Sequence, residues 1–240
     1  MGSGASIQCK EPRWSLRCLA QGLLFTALLP LSACGGMPVY SAAPIEAWVV
    51  DADTNAPLEG VIVAANWQLV SGTLAGGEIP KGQLMVMEAV TDKDGRFYFE
   101  GWTKVNLTTG ELRDKDPQIV MFKSGHRYRG FTNEYPVNQV VIGVRRESKL
   151  NKQTVKLEKF KGDQKEYSVH LDSISIDTHF LEEECNWAKV PHFLLELHKQ
   201  YWRFRSARIS SGLPSLESIK ALKNSPNCPS PDQLFKGREQ

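Results

Sequence analysis

From Ile45 to Phe160 the chain alternates short apolar runs with clusters of turn residues, the pattern of a sheet-built domain. The runs Ile45–Asp51, Val61–Trp67, Met85–Thr91, Arg96–Phe99, Gln118–Lys123, Gln139–Arg145 and Gln153–Phe160 are rich in β-branched and aromatic residues and recur at sandwich-like intervals. Asp92-Lys93-Asp94-Gly95 between two of them predicts a hairpin. Alternation then puts Phe97 and Phe99 on one sheet face and Tyr98 on the other. Ser71 to Gly82, rich in glycine, reads as an insertion between strands.

Beyond Phe160 the period changes. Asp163 and Glu166 form a capping-box pair, and Tyr167, Leu171, Ile174, Thr178 and Leu181 follow at helical spacing. Val169 with Leu171, and Ile174 with Ile176, also alternate, so residues 163–184 stay open between helix and strand. A firmer helix starts at Val190, with Pro191 in its first turn and Phe193, Leu194, Leu197, Tyr201 and Phe204 on one face. Ser215 caps a short last helix carrying Leu216, Ile219 and Leu222.

The N-terminus follows neither period. Lys10, Arg13 and Arg17 precede an apolar run from Cys18 to Leu31 that is too short to span a bilayer and reads as an export signal. Leu31-Ser32-Ala33-Cys34-Gly35 follows it and resembles the lipobox of bacterial lipoproteins. That resemblance implies cleavage before Cys34, acyl chains such as palmitate on Cys34, and, because Gly rather than Asp follows, sorting to the outer membrane. Several acyl chains make a stable anchor where one does not. Two other readings compete: myristoylation at Met1-Gly2-Ser3-Gly4-Ala5-Ser6 with Cys9 as a second acyl site, and a buried core helix over residues 18–34. On the lipoprotein reading residues 1–33 are the signal peptide and 34–43 a tether rich in small residues and proline. Residues 44–160 are then the sandwich and 161–240 a helical C-terminal region.

Composition narrows the function. The 240 residues carry 29 basic and 27 acidic side chains, a formal net charge of +2, which supplies no global field for nucleic acid. Loss of Lys10, Arg13, Arg17 and Glu11 with the signal leaves the mature chain formally neutral. Cys185 and Cys228 remain as a pair once Cys9, Cys18 and Cys34 are accounted for, and export predicts a disulfide between them; two separate buried thiols are the alternative.

The strand region also resembles a family. Asp51-x-x-Thr54-x-x-Pro57-Leu58-x-Gly60-Val61-x-Val63 and Thr91-Asp92-x-Asp94-Gly95-Arg96-Phe97-x-Phe99 are similar to the carboxypeptidase regulatory-like domain. Pro117 to His126 is similar to that family's next strand and turn. The resemblance covers about residues 44–160 and implies a transthyretin-like β-sandwich; it says almost nothing of activity.

Four constellations suggest chemistry. His179-Phe180-Leu181-Glu182 matches the first zinc-binding element of metallocarboxypeptidases, with His192 and His198 nearby, but a helix would make His179 and Glu182 neighbours anyway. His126-Arg127-Tyr128-Arg129-Gly130 is similar to the signature of transthyretin-like hydroxyisourate hydrolases, but Phe131 stands where that family has a terminal serine. Asp51 with Asp53, or Asp92 with Asp94, offers carboxylates to calcium or simply makes turns. Basic residues from Arg145 to Lys161 and from Lys199 to Arg205 suit an anionic surface or an ordinary amphipathic helix. The expectation is a mainly β protein, a transthyretin/Ig-like sandwich followed by a small helical region. It acts as a lipid-anchored, non-enzymatic binding or assembly module without a cofactor, its partners the membrane and an envelope protein or anionic surface. A metal-dependent hydrolase using His179, Glu182, His192 and His198 is the alternative.

Overall fold

The computed structural model describes residues 38–113, 116–133, 145–174, 181, 185–215, 218, 228–230 and 235–236. The chain is mainly β, a sandwich followed by a small helical region. One wall holds two three-stranded sheets. The first joins β11 (Thr154–Leu157), β2 (Ile45–Asp51) and β5 (Arg96–Phe99). The second joins β10 (Arg145–Arg146), β1 (Val39–Ala42) and β6 (Trp102–Val105). The other wall is a sheet in the order β4 (Glu78–Val90), β3 (Ile62–Gly72), β8 (Gln118–Phe122), β9 (Arg129–Phe131), with β7 (Glu111–Leu112) also paired to β3.

Side-chain alternation decides what each wall meets. In β2 and β5 alternate residues are buried, so Ile45, Ala47, Val49, Phe97 and Phe99 point inward while Tyr98 stays outside, as the period predicts. In β3 the run from Ile62 to Trp67 is buried on both faces. Val63, Ala65 and Trp67 pack with Ile119 and Met121 into the sandwich core. Ile62, Ala64, Val120 and Phe122 face a second core made with the helical region. A near-continuous apolar strand is what a sheet covered on both sides requires.

The helical layer supplies that second cover. Helix α1 (Gln164–Asp172) starts with the expected capping box: the Asp163 carboxylate accepts from Glu166 N at 2.8 Å and Glu166 accepts from Asp163 N at 2.9 Å. Helix wins over strand here because Tyr167 and Leu171 are buried together while Val169 is 64% exposed. Helix α2 (Pro191–Ser206) buries Phe193, Leu194, Leu197 and Phe204; Tyr201 is only half-buried.

Three expectations change. Asp92-Lys93-Asp94-Gly95 makes a turn but not a hairpin, because β4 pairs with β3 and β5 with β2, so the turn carries the chain from one sheet to the other. The supposed tether contains β1, whose backbone pairs antiparallel with β6 and parallel with β10. Only its last residue, Ala42, is buried, so partner strands rather than its own side chains specify it. The glycine-rich stretch is not an insertion but the end of a long hairpin: β3 runs to Gly72, β4 resumes at Glu78, and register shifts after Trp67 and Gln68 mark bulges. The Gln139–Arg145 run lies outside the described residues apart from Arg145, as do Leu216, Ile219 and Leu222.

Candidate functional site

The motif residues build a corner at one edge of the sandwich. Asp51 ends β2 with its side chain buried, and its Oδ1 accepts from Asp53 N at 3.0 Å, Thr54 N at 2.9 Å and the Thr54 hydroxyl at 3.0 Å. These bonds, led by the Thr54 amide, hold the carboxyl below its usual range against the opposing effect of burial. Thr91 donates its hydroxyl to Leu58 O at 2.6 Å and accepts from Val61 N at 2.8 Å, fastening the next turn. Gly95 has φ +72°, and a Cβ there would lie 2.3 Å from Val49 O, so only glycine fits. Asp92 accepts from Asp94 N at 3.0 Å and Arg96 N at 2.9 Å. Both aspartate pairs thus contribute turn-closing acceptors, as the bland sequence reading has it.

Asp51 Oδ2 points elsewhere. It lies 3.6 Å from Lys159 Nζ and 3.9 Å from the buried Nε2 of His126, which has no hydrogen-bond partner. The turn that carries His126 is held by three elements: Phe160 N donates to Gly125 O at 2.9 Å, Gly125 N donates to the Tyr167 hydroxyl at 2.9 Å, and Gln200 Nε2 donates to Ser124 Oγ at 2.9 Å. Beside it opens a depression of about 430 Å³ lined by Ala52, Asp53, Arg127, Glu158, Lys159 and Lys161. Its cations are already engaged: Lys161 lies 3.4 Å from Asp53, and the Arg127 guanidinium sits over the Phe160 ring at 5.6 Å. Such a polar depression can receive an anionic group by exchanging partners. Among the described residues no nucleophile paired with a base lines it.

The other sequence candidates are scattered. His192 Nδ1 lies 2.8 Å from Glu88 Oε2, and His198 stands two turns further along α2 with its ring against Trp202 at 6.2 Å. His179, Glu182 and the lipidation candidate Cys34 lie outside the described residues. Among the described residues no three His, Cys, Asp or Glu side chains converge as a metal site. Cys185 and Cys228 form a disulfide with Cα atoms 5.5 Å apart, within the span such a bridge needs. In the basic stretches, Arg146 turns inward to donate to Arg113 O at 2.9 Å and Leu112 O at 3.1 Å, whereas Arg205 donates to the Tyr201 hydroxyl at 2.7 Å on the exposed side of α2.

Sequence reasoning passed over two titratable groups. His170 Nε2 accepts from Tyr128 N at 3.2 Å, and its ring packs on Phe160 and Tyr128 with centroids 5.5 and 5.0 Å away. Burial, and secondly the Arg127 charge, lower its pKa. Asp116 is buried with Oδ2 accepting from Gln68 N at 2.7 Å and Oδ1 unpartnered, and burial pushes its carboxyl well up. Neither carries a local signal: one is a histidine in a helical stretch, the other an aspartate before a proline.

No protein-family model matches the chain, and no curated protein is significantly similar to it. Three solved structures resemble parts of it. They are a 3-chlorocatechol 1,2-dioxygenase from Rhodococcus opacus (15% identity over 53% of this chain, TM-score 0.30), a streptococcal ancillary pilin (18% over 52%, TM-score 0.23) and a 9R-lipoxygenase from Cyanothece (13% over 76%, TM-score 0.25). The chain spans 62%, 31% and 26% of those proteins respectively.

Proposed function

We propose that this is a lipid-anchored cell-envelope protein whose sandwich, of the carboxypeptidase regulatory-like type, serves as a non-enzymatic binding or assembly module. The observation that carries the reading is Leu31-Ser32-Ala33-Cys34 directly behind a basic and apolar leader, with the first strand beginning at Val39. A disulfide between Cys185 and Cys228 suits the oxidising compartment to which such a leader delivers. The residues of the family motif close turns, which favours a scaffold over a catalyst. The outer membrane is the proposed location, and an envelope protein or anionic surface the proposed partner.

The test is membrane fractionation of the wild type and Cys34→Ala, with intact mass of the purified protein. The reading expects acyl chains on an N-terminal Cys34 and release of the variant into the soluble fraction. An unacylated chain beginning at Met1 overturns it. Stoichiometric zinc that is lost in His179→Ala would overturn the binding-module reading and favour the metal-dependent hydrolase.

A further inference from the structure

The end of the sandwich from which the chain leads back to Cys34 is also where exposed apolar side chains gather. Val39 opens β1 and pairs with Val105, the last residue of β6; they are 46% and 49% exposed. Asn106 N donates to Pro38 O at 2.9 Å, and the loop from Asn106 to Gly110 projects Leu107 at 78% exposure. This loop lies against the outer part of the β3–β4 hairpin, because a Cβ on Gly110 would meet Lys81 Cβ at 2.8 Å and Leu69 Cβ at 3.0 Å. Just beyond it, β7 pairs with Leu69 and Val70. The hairpin continues past that contact to a turn closed by Thr73, with Leu74 fully exposed at the tip and Ile79 46% exposed behind it. Val39, Val105, Leu107, Leu74 and Ile79 therefore share one end of the domain.

Scattered exposed apolar residues need no explanation, but a cluster at one end does. Chain length says what covers this one. Val39 is the fifth residue after Cys34, so an anchor at Cys34 lies within about 17 Å of Val39 however the chain runs between them. Charge does not offer an alternative attraction, since the exposed Lys81 and Lys104 are matched in number by the exposed Glu78 and Glu111, and Glu78 pairs with Arg113 at 3.0 Å.

We propose that this end docks on the bilayer, with Leu74 at the hairpin tip and Leu107 in the adjoining loop entering the headgroup–acyl boundary beside Val39 and Val105. The inference rests on the lipid-anchor reading and deepens it. Acyl chains hold the domain near the surface, and the apolar end fixes which way it faces. The helical layer and the polar depression beside His126 are then left open to a partner.

The experiment uses the lipidated full-length protein in phosphatidylethanolamine–phosphatidylglycerol vesicles containing brominated lipid. An environment-sensitive dye is placed in turn at Leu74→Cys, Leu107→Cys and, as the control on α1, Val169→Cys. Quenching about threefold stronger at Leu74 and Leu107 than at Val169, and insensitive to added salt, is expected for apolar side chains at that boundary. Equal or absent quenching at all three positions, in protein that still floats with the vesicles, overturns the docking and leaves the anchor standing. Unacylated protein that does not float overturns both. Unchanged melting of the three variants shows that the labels report position rather than unfolding.

Discussion

Glu88 of β4 caps the helix that lies across its sheet: its Oε1 accepts from Phe193 N at 2.7 Å while Oε2 accepts from His192 N at 3.1 Å. Val190, the residue before α2, has no side chain that can cap, and Pro191 has no amide hydrogen to satisfy. The carboxylate therefore does from another element what a local Ser or Asp usually does, and it also meets the positive end of the helix dipole. Its side chain is only 6% exposed, so water cannot replace it.

Glu88→Ala is accordingly expected to destabilise the protein by about 2 kcal/mol, the upper range for loss of a cap. Glu88→Gln keeps an acceptor and should cost less. Urea unfolding monitored by tryptophan fluorescence measures both.

Phe122 ties the sheet to the helical layer, its ring 6.1 Å from that of Phe193 in an edge-to-face contact. Phe122→Ala should cost about 3–5 kcal/mol, as for other buried aromatics. The same geometry predicts that a chain ended after residue 160 will aggregate, because Ile62, Ala64, Val120 and Phe122 lose their cover. Recovery of such a chain as a soluble monomer, measured by size-exclusion chromatography, would contradict the two-core arrangement.

His170 makes stability depend on pH. Its pKa is lowered in the folded protein, so the unfolded chain takes up the proton first as pH falls. The stability it contributes is complete above its ordinary pKa of about 6.5 and is lost as pH drops through the folded value. His170→Gln retains an acceptor for Tyr128 N without titrating. The urea midpoint of this variant should fall less than that of the wild type between about pH 7 and about pH 5.5.

Asp116 acts with the opposite sign. Its carboxyl is raised by burial, so the folded protein holds the proton more tightly and gains stability from this group as pH falls from its folded pKa toward about 3.9. Asp116→Asn keeps an acceptor for Gln68 N without titrating, so its urea midpoint should depend less on pH than that of the wild type as pH rises from about 3.9. Equal pH dependence in variant and wild type would mean that Asp116 is not a source of the slope.

Local rules were legible in the chain. Asp163 and Glu166 name their own helix start, Pro191 marks the first turn of α2, and Asp94-Gly95 names a tight turn, although not the hairpin that its flanking strands suggest. Phe97 and Phe99 announce a shared face because a strand period of two leaves no choice. Of the proposed site residues, the Cys185–Cys228 pairing was readable by elimination, since the export reading sets Cys9, Cys18 and Cys34 aside.

The sequence by itself therefore determined the elements whose cause lies within a few residues: turns, caps and alternation. Tertiary structure alone decided what depends on distant partners. β1 is a strand because β6 and β10 offer it hydrogen bonds, and Val61 to Trp67 serves two cores because helices cover the far face of its sheet. Glu88 becomes a helix cap and Asp51 a neighbour of His126 only once strands remote in sequence are packed side by side. A pattern of polar and apolar residues records which side of an element is buried. It does not record which backbone amide or ring will stand there.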